Sequence, residues 1–113
     1  MGFFNELITN VPCSNCNNLY ETRIQFKFGA TRQLEYRMGD KIIWGFNDVG
    51  IPNIGKVKIY GVLGDVECPI CHNKNNNDEF DIFLDKDVIT GIDQMQDINN
   101  FLKNDGHYKI LAE

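Results

Sequence analysis

The chain has 113 residues, 42% hydrophobic and 24% charged, which is enough for one hydrophobic core and excludes a wholly disordered protein. Its net charge of −5 is uneven: residues 1–60 carry seven basic and five acidic side chains, residues 61–113 four and eleven. No apolar run approaches the roughly 20 residues of a membrane-spanning helix, and residues 1–10 lack the basic-then-apolar order of an export signal, so a cytoplasmic protein with a single domain, 1–113, is expected.

The first feature along the chain is Cys13-Ser14-Asn15-Cys16, a pair of thiols two residues apart. Residues 19–28 then alternate Tyr20, Thr22, Ile24, Phe26 and Phe28 with Glu21, Arg23, Gln25 and Lys27, the period of a half-buried strand. A turn at 29–31 leads to Leu34–Met38, which alternates likewise and is expected to return antiparallel to the first strand. Lys41–Trp44 is a short strand candidate, and the breaker-rich stretch 45–55 reads as a long loop.

Val57, Ile59, Gly61 and Leu63 mark the next strand, which leads into the second thiol pair, Cys68-Pro69-Ile70-Cys71. His72–Asn77 is so polar that an exposed loop is expected. Phe80, Ile82 and Leu84 face one way, Asp85–Asp87 turns, and Val88–Ile92 comes back. Met95, Ile98, Phe101 and Leu102 have helical spacing, with Asp93 as N-cap and Gly106 as stop, and His107–Leu111 reads as a last strand. The expected fold is mostly β (a β-rich α+β class), with antiparallel strands around a four-cysteine site and one late C-terminal helix.

Four cysteines in two Cys-x-x-Cys pairs supply the tetrahedral corners that zinc prefers, and a reducing compartment favours metal over disulfides. Cys13, Cys16, Cys68 and Cys71 are therefore the expected ligands of one Zn²⁺ per chain, in a structural role because four thiolates leave no position for water or substrate. The 51 residues between the pairs leave room for inserted strands. The two pairs resemble the knuckles of the zinc-ribbon superfamily, in which a Cys-x-x-Cys turn meets a Cys-Pro-x-Cys turn. Such knuckles often place glycine after the second cysteine, where φ is positive; Asn17 and His72 stand there, two residue types that tolerate that backbone. The superfamily implies a fold element and no single function.

Rubredoxin-like knuckles are similar too, so iron used in electron transfer is the rival cofactor. Neither pair opens a helix in a βαβ pattern, which argues against a dithiol oxidoreductase. With Ser14 the sole serine and only two histidines, a serine triad is hard to assemble, and no enzyme is expected. His72 reads as a surface neighbour of Cys71.

Two functional expectations follow. The first is a small protein-interaction module, of the kind bacterial immunity proteins and antitoxins represent, whose acidic C-terminal half meets a basic partner. Asp81, Asp85 and Asp87 would supply the charge, and Trp44 and Phe46 the aromatic anchors, although these aromatics read equally as core. The second is nucleic-acid binding through Arg23, Lys27, Arg32, Arg37, Lys41, Lys56 and Lys58, which the acidic pI of about 4.9 disfavours.

Overall fold

A computed structural model of the chain describes residues 4–45, 48–64, 67–76, 78–95 and 108–112. Among them are seven strands: β1 (Asn5–Pro12), β2 (Leu19–Phe26), β3 (Glu35–Arg37), β4 (Lys56–Leu63), β5 (Glu79–Asp85), β6 (Val88–Gln94) and β7 (Tyr108–Ala112). All join one sheet in the order β3-β1-β2-β4-β5-β6, with β7 beside β4.

β2 and β4 form because their apolar residues recur at every second position, so pairing puts Ile24 opposite Leu63 and Phe26 opposite Gly61. The same face continues through Leu7 and Val11 of β1, Ile59 of β4 and Ile82 of β5, all fully buried. Gly61 leaves the room this packing needs, because a Cβ there would lie 2.6 Å from Ile24 Cγ2. The β5–β6 turn places Lys86 and Asp87 at φ of 49° and 69°, the double left-handed conformation of a two-residue hairpin.

One face of a single sheet has to be covered, and here the sheet covers itself. After β3 the chain turns at Gly39 and bonds to β6: Gly39 N–H donates to Ile89 O at 2.8 Å, Ile89 N–H to Asp40 O at 3.0 Å and Ile42 N–H to Asp87 O at 2.7 Å. These bonds join the two sheet edges into a barrel around the apolar face. Phe28 fills the end away from the cysteines, edge-on to Trp44 and Tyr108 at centroid distances of 5.3 and 5.4 Å.

Several sequence expectations are corrected. β1 carries no strand signal in the sequence, because two of its four inward positions are the polar Asn5 and Thr9. Asn5 is nevertheless fully buried; its amide donates to Phe28 O and Ala30 O and accepts from Leu34 N–H, which ties β1 to the crossover that follows β2. β3 pairs parallel with β1 and makes no antiparallel return on β2, since that crossover carries the chain past β1. Lys41–Trp44 is no strand; Lys41 makes an isolated bridge to Val88. Asp93, expected as a helix cap, lies in β6 opposite Asp81. Of the expected late helix, Gln94 lies in β6 and Met95 follows it; the remainder lies outside the described residues. No helix among the described residues is long and apolar enough to cross a membrane.

Candidate metal centre

β1 and β2 form one hairpin and β4 and β5 another, and the antiparallel pairing of β2 with β4 brings both hairpin ends to the same edge of the barrel. Each end is a cysteine knuckle, and the two are built alike. In the first, Cys13 N–H donates to Asn18 O and Asn17 N–H to Cys13 O, both at 3.0 Å. In the second, Cys68 N–H donates to Asn73 O at 3.0 Å and His72 N–H to Cys68 O at 2.8 Å. The residue after each pair has positive φ, 61° at Asn17 and 62° at His72, so the non-glycine residues do adopt the left-handed turn that the sequence reading assigned them.

Facing one another, the knuckles bring all four sulfurs within 4.8 Å of each other, Cys13 and Cys68 buried and Cys16 and Cys71 half-buried. Cys13 Sγ is 3.7 Å from Cys71 Sγ, and Cys16 Sγ is 3.8 Å from Cys68 Sγ. A metal–sulfur bond of about 2.3 Å puts the corners of a regular tetrahedron about 3.8 Å apart, whereas a disulfide needs about 2.05 Å. The spacing is that of a four-thiolate metal site, and all four cysteines are free.

The electrostatics of the metal-free cluster point the same way. The N–H of Cys16 above all, with that of Asn15 and the neighbouring thiols, draws the Cys13 thiol down to about 6 against the effect of burial. At Cys71 the N–H of Asn73 favours ionisation, but burial and the three other sulfurs outweigh it and push the thiol up to about 11. The Cys13 thiolate forms readily and the Cys71 thiolate is opposed, because negative charge is crowded among close sulfurs. A divalent cation removes that opposition, so the donor set fits a metal ion.

The site is also stitched from behind. Asn75 is fully buried, and its amide donates to Pro12 O at 3.0 Å and Tyr20 Oη at 3.1 Å while accepting from Ser14 N–H at 3.1 Å. Asn76 N–H donates to Ser14 Oγ at 2.8 Å and Asn15 Nδ2 to Lys74 O at 2.6 Å. The loop after the second knuckle is thereby fastened to the first. This corrects the reading of 72–77 as wholly exposed: its exposed residues surround one asparagine that spans the two hairpins. A polar run gives no signal for that residue. His72 is exposed, and the metal-competent cluster among the described residues consists of the four cysteines.

The chain matches no protein-family model, no curated protein and no solved structure. Its likeness to zinc ribbons rests on the four clustered cysteines and the paired knuckles.

The residues named for partner binding scatter. Asp81 is buried and lies 3.6 Å from Lys58 Nζ, while its Oδ1 has no hydrogen-bond partner. Burial raises its pKa above the usual carboxylate range; Lys58 opposes this and Asp93 adds to it. Asp87 is buried too, accepting from Trp44 Nε1 at 3.2 Å and from Asn53 N–H at 3.1 Å. The two left-handed residues of its turn aim that carboxylate inward. Of the three aspartates only Asp85 stands exposed, and Trp44 is half-buried against Phe28. Phe46 lies outside the described residues. Two of the basic residues considered for nucleic acid are engaged, Arg23 with Glu6 and Glu35 and Lys58 with Asp81.

Proposed function

We propose that the four cysteines hold one zinc ion per chain in a structural role, and that the domain so fastened is an intracellular protein-interaction module for a basic partner. The observation that carries the reading is the closed four-thiolate cluster at the shared end of two hairpins. Its ligand set is complete without water or substrate, so the ion's work is to lock β1–β2 to β4–β5. With Asp81 and Asp87 buried, the exposed acids Glu79, Asp85 and Asp93 would meet a basic partner, and such a surface speeds and selects association. An immunity-type or antitoxin-type role belongs to this class.

The metal is tested by elemental analysis and a visible spectrum of protein purified under reducing conditions. One colourless zinc per chain supports the structural site; red protein with iron would make the site an electron carrier. Partner binding is tested by selecting a displayed library of protein fragments from the source cell against zinc-loaded chain. Enrichment of basic fragments that is lost after chelation supports the reading. No enrichment, together with salt-sensitive binding of single-stranded or duplex oligonucleotides, would transfer the function to nucleic acid.

A further inference from the structure

The barrel is not closed along its whole height. β3 runs parallel to β1, turns back through a bond from Asp40 N–H to Arg37 O, and bonds to β6 in the opposite direction at Lys41. β3 and 39–42 thus form a short wedge between β1 and β6. Two ribbons in that gap hold the flanking strands about 14 Å apart, three strand spacings of about 4.8 Å. The wedge reaches only to Gly39. Toward the cysteines, β1 runs on to Pro12 and β6 to Gln94, and among the described residues no strand lies between them. A cavity of about 260 Å³ opens there, lined by Asn10, Pro12, Phe80, Ile92, Asp93 and Gln94.

The backbone of both flanks is oriented into this slot. In β1 the bond from Cys13 N–H to Asn18 O continues the ladder with β2, so odd-numbered residues bond to β2 and even-numbered ones point away, as Glu6 N–H does toward Leu34 O. Asn10 therefore presents its N–H and C=O to the slot. In β6 Met95 N–H donates to Glu79 O, which puts odd-numbered residues on the β5 side and leaves the N–H and C=O of Ile92 facing the slot. Pro12 has no N–H, and Asn75 takes its carbonyl, so the slot ends at the first knuckle. Phe80 and the half-buried Ile92 offer an apolar floor, whereas the lining has Asp93 and no basic side chain, with Glu79 and Glu21 exposed on neighbouring strands.

We propose that this slot binds an extended basic segment of a partner protein, added as a strand to the slot-facing edge of β1. The proposal rests on the protein-interaction reading and gives that reading a surface. Hydrogen bonds to Asn10 hold the segment's backbone; alternate side chains reach across the gap to Phe80 and Ile92 or meet Asp93 and Glu21. A basic segment suits the slot because the charge at its rim is negative.

The test uses the zinc-loaded full chain, a fluorescein-labelled nine-residue peptide alternating lysine with valine, and its glutamate–valine counterpart. The basic peptide binds, the acidic one does not, and amide exchange slows at Asn10 when the basic one is bound. Asn10→Pro removes one donor at the parity Pro12 already occupies, so it spares the β1–β2 ladder, and it weakens binding about fivefold, as loss of one hydrogen bond does. Asp93→Lys weakens binding by a similar factor, while Gln33→Lys, at an exposed position of the crossover outside the slot, leaves it unchanged. Failure of the basic peptide to bind, or binding unaltered by both slot variants and without protection at Asn10, overturns the proposal. Library fragments that bind these variants as well as they bind wild type would overturn the slot alone and keep the interaction reading; the absence of any binding fragment would remove both.

Discussion

Asn75 is the buried side chain that joins the two knuckles independently of any metal. Replacing it with alanine deletes three hydrogen bonds and leaves Ser14 N–H and Pro12 O without their partner. At about 1 kcal/mol for each bond, with an added penalty for groups left buried, Asn75→Ala should lower stability by about 2–4 kcal/mol. The four-cysteine cluster forms only in the folded chain, so if it holds a metal, a loss of about 3 kcal/mol would also lower apparent metal affinity, by up to about 100-fold if the metal-free variant is unfolded. Urea unfolding with metal in excess measures the first quantity, and competition with a colorimetric chelator the second. Asn76→Ala is the control, because Asn76 contributes its backbone N–H to Ser14 and its side chain is exposed. If Asn75→Ala and Asn76→Ala both stay within about 0.5 kcal/mol of wild type, the argument that Asn75 couples the hairpins is wrong.

Three further outcomes are expected. Cys68→Ser leaves three thiolates, and it should reduce metal affinity more than about 100-fold and the melting temperature by about 10 °C or more; elemental analysis and calorimetry that show no change would refute a metal-held fold. Gly61→Ala forces a Cβ against Ile24 and Ile82 and should cost about 1–3 kcal/mol in urea unfolding. The Tyr60 phenol is raised from 10 to about 12 by burial and by its hydrogen bond to Glu79. Because the folded value lies above the unfolded one, the contribution of Tyr60 is complete below pH 10 and lost as pH rises toward 12. Tyr60→Phe should therefore flatten the stability profile within that window, and an unchanged profile would count against the shift.

What the sequence revealed tracked how strictly each element obeyed a local rule. β2 and β4 alternate almost without exception, and each Cys-x-x-Cys pair demands a tight turn, so the strands beside the knuckles and the metal-competent cluster were legible. β1 was not, because Asn5 and Thr9 interrupt its inward face, and the inward Asn5 is tolerated only through three partners supplied by residues 28–34. The same blindness hid Asn75 in a polar run and made Asp81 and Asp87 look like surface charge. In each case a long-range partner converts a residue that reads as solvated into one that is buried. The parallel docking of β3 is equally non-local: Tyr36 faces Leu7 only after the chain has crossed the barrel.

If the four cysteines hold a metal ion, their division between two hairpins has a consequence for how the protein is made and loaded. A nascent or partly folded chain that has formed only β1–β2 carries two thiolates, half of a coordination sphere, and must wait for residues 68–71 before it can satisfy an ion. When metal is scarce relative to protein, or the second hairpin is slow to dock, a half-site on one molecule can be completed by the complementary half-site on another. Exchange of hairpins between copies would then give a dimer with both ions correctly coordinated, so the order in which metal and denaturant are withdrawn should decide the ratio of single to interlocked chains.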